Sequence, residues 1–388
     1  MTVLPLSLGP WCLAALLLAG PATSLAGEPC ATAPAEAAAL PMPMPQRGVW
    51  IATPEHNHFF DSPAEMARQL DEFKRLGINT VYAAMWNQGR TLYPSAVMQR
   101  LTGVPIDEKL AGRDPLQELI TAARSRGIKV YAWFEYGFAT DFKGGLGHEI
   151  IDTARPQWAA LDAQGKQVVK NGFRWLNALD PEVQGFVQSL LLEAAERYDL
   201  DGIQGDDRLP ALPSSAGYDP VSVAMYKREH DGRSPPANAK EPAWLAWRAG
   251  KLNGFMQRLH ASLKAAKPQL QISMSPSPYP WGYDEYLQDW PTWLKNGWVD
   301  SVSPQLYRYD IAGYRTELRK ITREQLCPAQ LGRVFPGILL SLGRDYIIPV
   351  KLLNEVIDEN RREGITGEVY FHSEGLAKRA KELVKLYR

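Results

Sequence analysis

The chain has 388 residues, enough for one large core or two smaller ones, with 43 basic and 43 acidic side chains and only six His. That balance excludes a global field favouring nucleic acid or an anionic surface. The 12 Trp and 16 Tyr supply faces on which flat or ring-shaped ligands can stack.

The N-terminus reads as an export signal. Residues 4–20 are apolar apart from Ser7, and Ser24-Leu25-Ala26 offers small residues for cleavage before Gly27. No Lys or Arg precedes Arg47, so an uncleaved N-terminal anchor stays open beside a cleaved signal. The expected division is a signal peptide over 1–26, an Ala- and Pro-rich linker over 27–46 and one catalytic domain over 47–388. The expected location is the periplasm or the cell exterior. No later apolar run is long enough to span a bilayer. Cys12 leaves with the signal, and Cys30 and Cys327 remain as a pair that an oxidising compartment would allow to bond.

From Arg47 onward short apolar runs alternate with amphipathic segments. Strands are expected at 49–52, 78–85, 128–134, 202–205, 270–275, 298–304, 334–341 and 367–371. Helices are expected between them. The first is capped by Ser62, opened by Pro63 and ended by Gly77, and the others run over 114–126, 180–198, 243–266, 283–295, 351–362 and 374–386. Most of the strands are apolar runs rather than clean alternations, as expected when both faces are buried in a parallel sheet. Eight such units predict an α/β chain folded as a (β/α)8 TIM barrel with enlarged βα loops. A doubly wound sheet is the alternative, weakened because no Gly-rich phosphate fingerprint follows the first strand.

In such a barrel the C-terminal strand ends share one mouth. Those positions hold Trp50, Trp86, Asn87, Trp133, Glu135, Gln204, Asp206, Asp207, Gln305, Tyr307 and His372. Adjacent carboxylates where a buried strand meets a loop are costly to desolvate and usually serve chemistry or a cation. A carboxylate pair with aromatic platforms and amides is the equipment of glycoside hydrolysis: one acid protonates the leaving oxygen, and the other attacks or activates water. Asp206, Asp207 and Glu135 are therefore the candidate catalytic residues. Each residue also has a plainer role available. The Trp residues could fill the barrel end, Glu135 could pair with a loop Arg such as Arg174, and His372 could be a structural hydrogen-bonder. A metal-dependent hydrolase using Asp206, Asp207 and His372 stays open as a rival. No HExxH motif, GxSxG elbow or reactive-cysteine context accompanies them.

Arg47-Gly48-Val49-Trp50, Gly77 to Tyr82, Trp86-Asn87-Gln88-Gly89 with Tyr93-Pro94-Ser95, Asp201 to Asp207, and Ser303 to Tyr307 together resemble the glycosyl-hydrolase-like family 10. The resemblance runs in order from Arg47 nearly to the C-terminus. It implies a (β/α)8 barrel, export to the bacterial envelope and action on glycosidic bonds, in some members those of peptidoglycan strands stripped of peptides. It also implies that Asp206 or Asp207 is the catalytic acid or its partner. Arg47, Asn87, Gln305 and Tyr307 would orient substrate or carboxylate, and Trp50, Trp86, Tyr93, Trp133, Gln204 and His372 complete the expected substrate-binding set. The expected partner is a glycan, with no nucleic acid, no stable protein partner, no cofactor and no metal. A non-catalytic glycan-binding barrel is the alternative from another class.

Overall fold

The computed structural model describes residues 45–53, 58–343 and 345–387. The expected signal peptide, and the linker except for Pro45 and Gln46, lie outside the described residues. Cys327 is disulfide-bonded, and the other two cysteines, Cys12 and Cys30, also lie outside them.

Eight parallel strands form the barrel: β1 (Arg47–Ile51), β2 (Thr80–Ala84), β3 (Lys129–Phe134), β4 (Gly202–Gly205), β5 (Gln271–Met274), β6 (Ser301–Val302), β7 (Gly337–Leu339) and β8 (Glu368–Phe371). The sheet order is β6-β5-β4-β3-β2-β1-β8-β7. Parallel bridges Val302–Val334 and Gln305–Gly337 join its two ends, which closes the ring. Almost every strand residue is buried, which explains the unbroken apolar runs.

The outer ring is α1 (Pro63–Arg75), α2 (Pro115–Arg124), α3 (Pro181–Arg197), α4 (Pro242–Ala266), α5 (Trp290–Lys295), α6 (Ile311–Arg319), α7 (Val350–Arg362) and α8 (Ala380–Tyr387). The starts repeat one device. Ser62, Asp114, Asp180 and Glu241 each accept a backbone N–H of the first turn, and a proline follows each of them. Each such cap is worth about 1 kcal/mol, and the proline's fixed φ suits the first helical position.

The barrel interior is aromatic. Trp50, Tyr82, Tyr131, Trp133 and Phe335 pack there with Val369. Gly202 makes room for this filling, since a Cβ on it would lie 2.2 Å from the Tyr131 ring. The second core, between sheet and helices, takes most of the Leu, Ile and Val.

Three expectations are corrected. The helix predicted over 283–295 is two, Trp281–Tyr286 and α5, separated at Leu287, whose φ of 61° is left-handed. The break leaves Gln288 fully buried and turned inward. The helix α6, capped by Asp310, stands where none was expected, because only Tyr314 and Leu318 of its residues are buried. The last helix is shorter than expected and is preceded by two 3-10 turns, Ser373–Gly375 and Ala377–Arg379.

Candidate active site

Strand β4 stops at Gly205, and the chain turns at once, Leu209 N donating to Asp206 O at 3.0 Å. Gly205 permits this tight return: a Cβ there would meet Met274 Sδ at 2.5 Å and Leu209 O at 2.9 Å. The turn places both aspartates on one side. Asp206 Oδ2 accepts from Arg208 Nη2 at 3.0 Å, and Asp207 Oδ1 lies 2.7 Å from Arg208 Nη1. Alternation along a strand would send the neighbours to opposite faces, but the strand has already ended.

Asp206 is only 3% exposed and is held from two neighbouring strand ends and one loop. Its Oδ1 accepts from Ser275 Oγ, beyond β5, at 2.9 Å and from Gln305 Nε2, beyond β6, at 2.6 Å. Gln288 Nε2 donates to its backbone carbonyl at 3.3 Å. Burial pushes the Asp206 carboxyl well above the usual carboxylate range. The negative charge of Asp207 adds to this, Arg208 opposes it, and Glu135 adds again. The surroundings can accept the retained proton. Ser275 Oγ also lies 3.1 Å from Gly205 O, so its hydroxyl can donate there and accept from a protonated Asp206.

Glu135, one residue past β3, completes the group. Asn87 Nδ2 donates to its Oε2 at 2.6 Å, and Arg208 reaches both its backbone carbonyl, at 3.1 Å, and its Oε1, at 3.9 Å. One guanidinium therefore faces three carboxylates. Burial opposes the Arg208 charge, but Asp207, Asp206 and Glu135 outweigh it and raise its pKa. Its plane lies 4.7 Å from the Phe173 ring centre and 5.4 Å from that of Tyr136. Tyr307 borders the group. Burial first, then the charges of Asp206, Asp207 and Glu135, raise its pKa, so its hydroxyl keeps its proton. Its ring lies 5.2 Å from Phe371, which is 5.2 Å from His372.

Other expected site residues sit elsewhere. Trp50 and Trp133 are 1% and 2% exposed and fill the barrel beneath the mouth, leaving no open face for a sugar. Gln204 is buried with them, accepting from Trp50 Nε1 at 2.7 Å and donating to Ser273 Oγ at 3.0 Å. Trp86 packs in the outer core with its Nε1 on Gly137 O, and the Tyr93 hydroxyl donates to Leu190 O on α3. Both are fully buried. Arg47 opens β1, so it lies at the opposite end of the barrel, 4.3 Å from the ring centre of Tyr387 on α8. Replacing it tests that placement. Arg47→Ala is expected to cost about 0.5–2 kcal/mol of stability in a denaturant titration and to leave KM and kcat unchanged.

Arg208, Ser275 and Gln288 were not expected as site residues. Arg208 was visible as the cation directly after the acidic pair. Ser275 was legible only as a polar residue at a strand end. The placing of Gln288 on Asp206 depends on the break at Leu287. Among the described residues no group of three or more His, Cys, Asp or Glu side chains is placed to hold a metal ion.

A family model described as glycosyl hydrolase-like 10 matches residues 45–333, from the entry into β1 to the segment before β7. The chain belongs to the glycosyl hydrolase-like 10 family. The site of this glycosyl hydrolase-like 10 barrel, from Asn87 to Tyr307, falls inside the matched span. Among relatives of the chain is glycosyl hydrolase DigH of Escherichia coli K12, 29% identical over 386 residues, covering 86% of this chain and 84% of its own. Another is glycosyl hydrolase YngK of Bacillus subtilis, 26% identical over 292 residues and 67% of this chain, matched over 54% of its length. The fold is that of (β/α)8 glycoside hydrolases. The glycoside hydrolase domain of PgaB from Bordetella bronchiseptica superposes with a TM-score of 0.64 at 17% identity, over 89% of this chain and 99% of that one. The catalytic domain of β-amylase from Paenibacillus polymyxa gives 0.60 at 10% identity, over 88% and 98%.

Proposed function

We propose that the protein is an exported glycoside hydrolase that cuts glycosidic bonds in a bacterial envelope polysaccharide, namely peptidoglycan strands freed of their peptide stems. The observation that carries this reading is the trio of carboxylates on Arg208 at the C-terminal mouth, with the Asp206 carboxyl raised above the usual range by burial. Asp206 gives its proton to the glycosidic oxygen as the bond to the anomeric carbon breaks and its electron pair passes to that oxygen. Glu135, oriented by Asn87, is the second carboxylate. Arg208 Nη2 stands 3.0 Å from Asp206 Oδ2 and 3.9 Å from Glu135 Oε1, so those oxygens are no further apart than the two distances laid end to end. That limit spans the separation of about 5–5.5 Å used by retaining enzymes and reaches only the lower edge of the inverting range, about 6.5–9.5 Å. Attack by Glu135 through a covalent intermediate is the mechanism proposed, and the anomeric configuration of the first-formed product tests it.

Export is supported by the apolar run at 4–20 and the small residues before Gly27. An N-terminus at Met1 on protein recovered from outside the cytoplasm would overturn cleavage.

The deciding experiment digests purified peptidoglycan, with and without stems, and follows the products by mass analysis and proton NMR. The expected result is release of shortened sugars from the denuded strands, the first-formed product keeping its anomeric configuration. Sugars released by an Asp206→Asn, Asp207→Asn double variant as fast as by the unaltered protein would sink the assignment.

A further inference from the structure

We infer that a small pocket beside Glu135, walled by Thr53, Asn87, Asp107 and two leucines, receives the C2 acetamido group of the sugar that Glu135 attacks, so that the protein selects N-acetylated over de-N-acetylated sugars. This rests on the glycosidase reading above and adds the substituent that the same site recognises.

The pocket lies at the mouth end of the barrel. Thr53 follows the C-terminal end of β1, and Asn87 and Gln88 follow that of β2. Among the described residues Leu92, Asp107 and Leu146 complete the lining. Asn87 joins the pocket to the acidic centre, because the same side chain lines the one and donates to Glu135 Oε2 in the other. In a sugar the C2 substituent sits on the carbon next to the anomeric one. A carboxylate that attacks the anomeric carbon therefore has the C2 group beside it, where contacts strengthen in the transition state.

Backbone pairing fixes the walls. Asn87 pairs antiparallel with Arg90, and Gln88 and Gly89 turn between them with φ of 47° and 63°, the left-handed combination of a two-residue hairpin. From the same hairpin Thr91 O accepts from Asp107 N at 2.9 Å, and Thr91 Oγ1 donates to Pro105 O at 3.1 Å. Asp107 is thereby held in register with Asn87. A pocket fixed before binding costs less to order when a sugar arrives.

The chemistry of the walls matches an acetamido group, which carries one N–H, one carbonyl oxygen and one methyl. Thr53, Asn87 and Asp107 are each buried, and buried polar atoms normally find partners. Asp107 Oδ1 accepts from Lys109 N at 2.9 Å, and Asn87 Nδ2 is taken by Glu135. Among the described residues nothing hydrogen-bonds Asp107 Oδ2, Asn87 Oδ1 or Thr53 Oγ1. Asp107 Oδ2 is an acceptor for the amide N–H, and the Thr53 hydroxyl is a donor for the carbonyl oxygen. Leu92 and Leu146 offer carbon to the methyl, and the pocket has room for about one group of that size. A C2 ammonium would bring three donors and no acceptor for Thr53, and would set a charge against the two leucines.

The test follows binding by titration calorimetry and turnover by kcat/KM on one preparation of stem-free glycan strands. The strands are compared as prepared, after de-N-acetylation, and after the freed amines are re-acylated with acetyl or with propionyl groups. Loss of the acetyl groups is expected to lower affinity and kcat/KM about 10- to 100-fold, and re-acetylation to restore both. Propionyl groups, one methylene longer, are expected to cost about 10-fold. Asp107→Asn keeps an acceptor for Lys109 N, since Asn caps as well as Asp, but presents a donor to the amide N–H. It is expected to weaken the acetylated strands about 10-fold at an unchanged thermal midpoint. Leu146→Ala is expected to relieve the propionyl penalty, a gain that a merely structural role would not produce. De-N-acetylated strands bound and cut as well as acetylated ones, or better, overturn the inference. So does a propionyl penalty that Leu146→Ala leaves in place. Hydrolysis indifferent to the acetyl group leaves the hydrolase reading standing, whereas acetyl-dependent binding without hydrolysis counts against that reading alone.

Discussion

Asp206→Asn is expected to lower kcat by about 10²- to 10⁴-fold, the range over which a positioned general acid contributes. The loss should appear in kcat and kcat/KM alike, because an amide fills the space but has no proton to give in the transition state. The pH profile makes the test specific. Turnover needs Asp206 protonated, and its pKa is raised, so the rate should fall only as pH climbs through a value well above the ordinary Asp range near about 4. In Asp206→Asn that alkaline limb should vanish from whatever activity remains. Asp207→Asn should behave differently. The Asp207 charge is the second cause of the upward shift, so removing it lowers the Asp206 pKa. The alkaline limb should move to lower pH, while turnover below it is largely kept. An alkaline limb unmoved in both variants would overturn the division of labour between the two aspartates.

The barrel was readable because its physics is local. Burial on both faces makes strands such as Thr80–Ala84 continuously apolar, and Ser62-Pro63, Asp114-Pro115 and Asp180-Pro181 announce helix starts within a few residues. Where the local signal is thin, reading fails. Strand β6 is two residues of the seven expected over 298–304, because Val299 is buried by packing and not by pairing, and α6 has too narrow an apolar face to show a period. The acidic trio was legible for a related reason: carboxylates at strand ends stand out in apolar surroundings. The placing of the aromatic rings was not. Trp50, Trp86 and Trp133 look equivalent to exposed rings in a sequence, and only the three-dimensional filling of the barrel separates them from Trp281, which hides in the proline-rich run after β5. The inward turn of Gln288 depends on a single left-handed residue, Leu287.

Arg208→Ala is the most damaging single change expected of the site. The guanidinium faces all three carboxylates, and its side chain is only 12% exposed. Its removal leaves Asp207 and Glu135 beside the buried Asp206 with no guanidinium facing them. Removing one partner of a buried ion pair costs about 3–5 kcal/mol, enough to lower the thermal midpoint by on the order of 10 °C. The β3 loop should loosen as well, because Arg208 also holds the Glu135 carbonyl and packs on Phe173. Arg208→Lys keeps the charge but not the planar fork, so it can serve only part of the group and should fall between the two. The pH dependence gives the sign. Arg208 opposes the upward shift of Asp206, so without the cation Asp206 takes up its proton sooner as pH falls, and its neutralisation relieves the repulsion. The stability gap between variant and unaltered protein should therefore be widest near neutral pH and should narrow on acidification, as followed by calorimetry at several pH values. Acid denaturation of the rest of the molecule is common to both proteins and drops out of the difference. A gap that stays constant with pH would mean that Arg208 acts through packing on Phe173 and Tyr136, and not through the three charges it faces.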